Sequence, residues 1–172
     1  VFVGTGISTT FTLIELLDRL ERQRIRSARV LLIDKHPDHF KGVPYGTRSG
    51  ELGLIITRVS DFLPATQFPQ FSEWLVGHRD PAFERFFALG GDRVDDWRTR
   101  YWHDVEAGVI AELYLPRYIF GLYFEHIARR AIDRAREQGV AICETVVGEV
   151  VDIGRADEQF TVVARDAHGI EQ

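Results

Sequence analysis

The stretch Gly4-Thr5-Gly6-Ile7-Ser8-Thr9 combines the residue types and spacing that suit it to holding a phosphate anion. Gly4 permits a tight turn, and Gly6 lets backbone N–H groups approach an oxyanion with no Cβ in the way. A helix beginning near Ser8 would aim its free N–H groups and its positive dipole end at the same point. The hydroxyls of Ser8 and Thr9 can add donors or cap that helix. Thr9 stands where the glycine-rich dinucleotide motif usually has a third glycine, so the helix is expected to sit slightly farther from the strand before it. Asp34 closes the next apolar run, where a carboxylate can accept hydrogen bonds from ribose hydroxyls and would repel a 2′-phosphate. The interval from Gly6 to Asp34 exceeds the roughly 20 residues usual for the motif. A long first helix and the Arg22–Ser27 connection account for the difference.

Other constellations offer less chemistry. Ser8 lacks the full glycine–x–serine–x–glycine elbow of a hydrolase nucleophile, so a nucleophilic role is disfavoured. Asp34, His36, Asp38 and His39 could be imagined as metal ligands, but no second spaced pair supports them, and a solvated loop after a strand is the expectation. Arg98, Tyr101, Trp102 and His103 interleave basic and aromatic groups, yet Asp95, Asp96 and Asp104 balance the charge, which favours a packed amphipathic helix over a base-stacking surface. Glu106 and Glu112 are expected to be surface carboxylates with no partner. Cys143, the single cysteine, reads as core filling and excludes an intrachain disulfide. No metal site and no catalytic residue is assigned.

The elements that would position the motif follow from periodicity. Val1-Phe2-Val3 is a strand tail. Phe11, Ile14, Leu17 and Leu20, widened by Leu13 and Leu16, make a helical stripe, with Glu15–Arg19 and Asp18–Arg22 at supportive spacing. Arg29–Asp34 is a continuously apolar run of the kind that forms a parallel strand buried on both faces. Strand, helix and strand within residues 1–34 make a βαβ unit. Residues 35–115 read as a loop and helical insertion, loop-rich to about Thr66, with irregular short helices from about Gln67 to Tyr114. Residues 116–172 supply a helix from Arg117 to Gln138, started by Pro116 and stopped by Gly139, with Phe120, Phe124, Ile127, Ala131 and Ala135 facing a core. Strands are expected at Val140–Glu144, Val146–Ile153 and Phe160–Arg165, and a turn over Asp166–Gln172. Both ends read as cut, and the expected fold class is α/β, a three-layer, Rossmann-like parallel sheet with an inserted helical region and a β-hairpin, incomplete at its C-terminus.

Composition narrows the partners. The 172 residues are 45% hydrophobic and 27% charged, with 21 basic against 26 acidic groups and a net charge of −5. With no basic stripe and no apolar run of about 20 residues, neither nucleic acid nor a membrane is expected as a partner. A small-molecule substrate and a cytoplasmic setting are expected, with room for a homo-oligomer.

Four segments in order resemble the FAD/NAD(P)-binding flavoproteins with two dinucleotide-binding folds, relatives of the flavin-dependent N-hydroxylating monooxygenases. They are Val3–Ser8 with its helix, Leu32-Ile33-Asp34, Gly42–Thr47 (GVPYGT) and Tyr114–Tyr123 (YLPRYIFGLY). Thr57–Leu63 followed by Phe71–Leu75 resembles the stretch those enzymes place beside the flavin ring. The resemblance implies FAD as cofactor and NAD(P)H as reductant, with oxygen passed from O2 to an amine nitrogen. It implies that Gly4, Thr5, Gly6, Ile7, Ser8 and Thr9 meet the pyrophosphate and Asp34 the adenosine ribose. Lys35 and His36 would flank the adenine, Tyr45, Gly46 and Arg58 would lie toward the flavin, and the Val150 backbone would meet the adenine edge. Arg58 departs from the neutral polar residue usual there, and it or Arg117 could pair with a substrate carboxylate. Two other readings stay open: an NAD-dependent dehydrogenase with one Rossmann site, and a nucleotide-binding module without turnover.

Overall fold

A computed structural model of the chain describes residues 1–166 and 168–169. They divide into two compact units, Val1–Gly42 with Phe124–Gln172, and Val43–Tyr123.

The first unit holds a parallel three-stranded sheet of β1 (Phe2–Val3), β2 (Ala28–Asp34) and β3 (Ala141–Val147), with β2 in the middle. Phe2 pairs with Leu32, and Ala28 to Asp34 run in register with Ala141 to Val147. Helix α1 (Ile7–Arg22) and the later turns of α6 (Arg117–Glu137) pack on this sheet. Leu13 and Leu17 meet Val30, Leu32, Ala128, Ala131, Ala135 and Cys143 in one core cluster. The buried line of α1 is Thr10, Leu13 and Leu17, the middle of the stripe its periodicity predicts. Glu15 and Arg19 pair at 2.6 Å as their spacing predicts, whereas Asp18 pairs with Arg134 of α6 and Arg22 turns to Glu15. A cross-helix partner thus takes the place of an in-helix one. Cys143 is buried, and burial pushes its thiol above the ordinary range.

After β3, Gly148 donates to the Asp34 carbonyl at 2.8 Å, and the chain turns into an antiparallel hairpin, β4 (Glu149–Ala156) with β5 (Gln159–Arg165). The single strand predicted over Val146–Ile153 is therefore two, broken at Gly148. The turn expected over Asp166–Gln172 lies largely outside the described residues; within it, His168 N–H donates to Asp166 Oδ1 at 2.8 Å.

The second unit carries short helices α2 (Gly42–Tyr45, whose first residue belongs to the other unit) and α3 (Val59–Phe62), then two long ones, α4 (Phe68–Leu89) and α5 (Asp92–Glu106). Irregular short helices were the expectation there. Pro81 lies inside α4, where the sequence suggests a break, yet the helix continues through it, with Phe71 and Leu75 buried before it and Ala82, Phe83 and Phe86 after. Packing of aromatics overrides the local cost of one missing N–H. Phe83 stacks on Trp97 of α5 at 5.1 Å, and the Tyr118 hydroxyl donates to the Ala82 carbonyl at 2.7 Å. Burial pushes that phenol up to about 12. No helix among the described residues is long and apolar enough to cross a membrane.

Candidate functional site: the glycine turn and its carboxylate

β1 ends on Gly4, whose φ of 82° is a left-handed conformation that side-chain-bearing residues rarely adopt. Its N–H still closes the sheet by donating to Ile33 O at 2.8 Å. The next residue, Thr5, is fully buried. Its N–H donates to Asp34 Oδ2 at 2.7 Å, and its hydroxyl donates to the same oxygen at 2.9 Å. Asp34 Oδ1 accepts the His36 N–H at 3.0 Å. Burial works to raise the Asp34 pKa, but these three donors outweigh it and hold the carboxyl below its ordinary 3.8. Asp34 is thus ionised and fastens the end of β2 to the glycine turn. A carboxylate offers about four acceptor positions. Three are taken here, which leaves one on Oδ1 for a ribose hydroxyl.

Gly6 caps α1 with extended backbone and no side-chain capping bond, and the first turn of the helix carries no acidic residue. The first helical bond runs from Thr10 N–H to Gly6 O at 3.0 Å. The N–H groups of Gly6, Ile7, Ser8 and Thr9 therefore have no acceptor within the helix. A Cβ built on Gly4 would meet nothing within 4 Å, and one on Gly6 only the Gly42 Cα at 3.8 Å. The space over the glycines is open, the helix end is donor-lined and its first turn carries no acid, so these residues fit a dinucleotide pyrophosphate. In the place of the third glycine, the Thr9 hydroxyl donates to Gly4 O at 2.8 Å and ties the start of the helix to the turn.

The remaining expected contacts fall in two groups. Lys35 is exposed, and its ammonium reaches Glu149 at 2.8 Å. With the Gly148–Asp34 bond, this sets the start of β4, and so Val150, beside the end of β2. Tyr45, Gly46 and Arg58 belong to the second unit. There the Tyr45 ring lies 5.8 Å from Phe62, and Gly46 is buried ahead of a 3-10 turn. Arg58 pairs with Glu112 at 2.6 Å, so Glu112 is not the partnerless carboxylate its sequence context suggests. The Tyr114 hydroxyl and Glu112 hold the guanidinium pKa above its usual value. Arg117 Nε donates to Leu54 O at 2.9 Å. A substrate carboxylate would meet both arginines already engaged.

Sequence reasoning missed His39 and Thr10. A solvated loop was expected after Asp34, yet His39 is 8% exposed and Phe40 fully buried. His39 Nδ1 lies 3.1 Å from the Thr5 hydroxyl. Phe40 N–H donates to Thr5 O at 2.7 Å, and the Thr10 hydroxyl donates to Phe40 O at 3.1 Å. The available signal was Phe40 itself, an aromatic directly following a histidine in an otherwise polar stretch. No group of three or more His, Cys, Asp or Glu side chains that could hold a metal occurs among the described residues.

The family model described as FAD-NAD(P)-binding matches residues 1–171, and the chain belongs to that family. FAD and NAD(P)H are its cofactors, and the glycine turn fits the pyrophosphate of one dinucleotide. Uncharacterized proteins of Mycobacterium bovis and of two strains of Mycobacterium tuberculosis, CDC 1551 and H37Rv, are each 26% identical over 166 residues. That alignment covers 95% of this chain and 31% of each relative, so the chain spans about a third of their length. No solved structure matches the chain significantly.

Proposed function

We propose that this chain is the FAD-holding portion of an oxidoreductase, and more narrowly of an NAD(P)H- and O2-using monooxygenase that hydroxylates a small amine or amino-acid nitrogen. The observation that carries the first step is the uncapped amino end of α1, reached through the left-handed Gly4 and anchored by the ionised Asp34. Bound flavin supplies the electron transfer from NAD(P)H to oxygen; the chain's own residues bind, orient and screen it. Gly4 to Thr9 would hold the pyrophosphate and the open acceptor position of Asp34 a ribose hydroxyl. Lys35, His36 and the Val150 backbone serve the adenine end in this reading, and Tyr45, Gly46 and Arg58 the flavin end. The narrower step rests on the resemblance of Gly42–Thr47 and Tyr114–Tyr123 to the N-hydroxylating enzymes. The same reading places the protein in the cytoplasm, acting on a small molecule without nucleic acid or membrane, and allows a homo-oligomer.

A second reading, an NAD-dependent dehydrogenase, draws on the same Asp34, since a single ribose acceptor serves NAD as well as FAD. The visible absorption spectrum of the purified full-length protein, with and without added FAD, separates the two. Flavin bands that co-elute with the wild type and are lost in Gly6→Asp support the first. A colourless protein that takes up NAD and gains nothing from FAD supports the second. Oxidation of NAD(P)H that accelerates only with an amine, with hydroxylated product found by mass spectrometry, tests the narrower step.

A further inference from the structure

Thr5 Oγ1 sits between two groups, Asp34 Oδ2 at 2.9 Å and His39 Nδ1 at 3.1 Å. A hydroxyl has one proton to give. If Thr5 gave it to His39, an oxygen lone pair would face an ionised carboxylate oxygen at hydrogen-bond distance. The proton therefore goes to Asp34, and His39 must itself donate through Nδ1–H. The result is a one-way chain: His39 Nδ1–H to Thr5 Oγ1, Thr5 O–H to Asp34 Oδ2, with the Thr5 and His36 N–H groups closing on the same carboxylate. The imidazole is nearly sealed from water, and its neighbour Phe40 is held at φ 72° with its N–H on Thr5 O. A non-glycine residue in the left-handed region persists only where its surroundings over-determine it. Two consecutive residues of the loop after β2 therefore grip Thr5, the residue between the two glycines, from its side chain and from its carbonyl.

We propose that His39, as its Nδ1–H tautomer, is a positioning residue for the dinucleotide: through Thr5 it fixes the glycine turn so that the α1 amides stay aligned and the last acceptor position of Asp34 stays open to a ribose hydroxyl. His39 need not touch the cofactor for this. The inference rests on the reading that FAD occupies this turn, and it goes further by assigning a role to a residue outside the glycine motif.

The test uses the full-length protein and three substitutions, with FAD affinity read by fluorescence titration. His39→Phe keeps a buried ring without the donor, and His39→Asn keeps a donor at the Nδ1 position. Thr5→Val removes the relay while keeping the volume. Loss of a buried charge-linked hydrogen bond predicts a rise in the FAD dissociation constant of about tenfold for His39→Phe and Thr5→Val. His39→Asn should stay within about threefold of wild type, a margin below one hydrogen bond's usual contribution. Nitrogen-15 histidine spectra supply a readout independent of FAD: an Nδ1–H imidazole resonance lost in His39→Asn identifies His39, and it should shift in Thr5→Val. Equal affinity in wild type and His39→Phe, with thermal stability retained, overturns the proposal. So does an Nε2–H tautomer, and so does weakening in His39→Asn as large as in His39→Phe. A wild type that takes up no FAD removes the underlying reading as well, and so is distinguishable from failure of the relay alone.

Discussion

Three donors converge on the Asp34 carboxylate, and their geometry makes the effect of a single-atom change calculable in sign. Asp34→Asn leaves one acceptor oxygen and brings an amide N–H2 against either the His36 N–H or the Thr5 donors. Either the His36 N–H or both Thr5 donors lose their acceptor, according to how the amide turns, at about 1–3 kcal/mol for each stranded donor. Chemical denaturation at neutral pH should show that loss. Because the folded-state pKa of Asp34 lies below its ordinary 3.8, its contribution is complete above that pH and fades as the pH falls through the lower folded value. The gap between wild type and Asp34→Asn should therefore close in acid, below about pH 4. His39 titrates in a different window. Burial lowers its pKa first and foremost, Asp34, Glu125 and Asp38 oppose that, and Arg129 adds to it. Between that lowered value and the ordinary 6.5, the unfolded chain binds a proton that the folded chain refuses, so stability declines as pH drops below about 6.5. His39→Asn should flatten that part of the profile, and an unchanged slope would assign it to another group.

At the scale of elements, legibility in the sequence tracked periodicity. The strand–turn–helix–strand opening was readable because Phe2, the α1 stripe and the apolar run before Asp34 each follow one period. The 21-residue α6 was readable because Pro116 and Gly139 bracket it. The full lengths of α4 and α5 were not, although the balanced charge around Arg98–His103 pointed to a packed amphipathic helix; in α4, Pro81 and aromatics spread around the helix blur the stripe. Nor was the split between β3 and β4, because a strand that leaves a parallel sheet for a hairpin keeps the same apolar alternation on both sides of Gly148. The site divided the same way: glycines and the terminal acid announce themselves by type and place, whereas the burial of His39 depends on a loop folding back, which no local period encodes. One close approach is equally invisible in sequence. A Cβ on Gly121 of α6 would stand 2.1 Å from the Tyr45 carbonyl oxygen. That contact is with backbone and cannot be relieved by a rotamer change, so Gly121→Ala should destabilise the protein by about 1–3 kcal/mol. A melting temperature equal to wild type would mean that α2 shifts freely, contrary to its packing against Phe62.

For the molecule as a whole, the division into two units makes cofactor binding a spatially resolved measurement. A ligand that binds only the native state stabilises what it binds, by about 2.7 kcal/mol at a hundredfold excess over its dissociation constant. Amide exchange is sensitive to such gains region by region, because local openings have their own free energies. The glycine turn, β2, Asp34 to Phe40 and the start of β4 all lie in the first unit, joined by the Thr5–Asp34, Phe40–Thr5 and Gly148–Asp34 bonds. Adding FAD to the full-length protein should slow exchange across that whole set together, not at the α1 amides alone. Gly6→Asp places a carboxylate at the amino end of α1, where it repels the pyrophosphate, and should abolish the effect. Tyr45, Gly46 and Arg58 then become separately testable. Slowed exchange at residues 45–58 on FAD addition keeps them in the cofactor set that the resemblance implies. Protection confined to the first unit would remove them, and would leave the Arg58–Glu112 pair as a structural tie of the second unit.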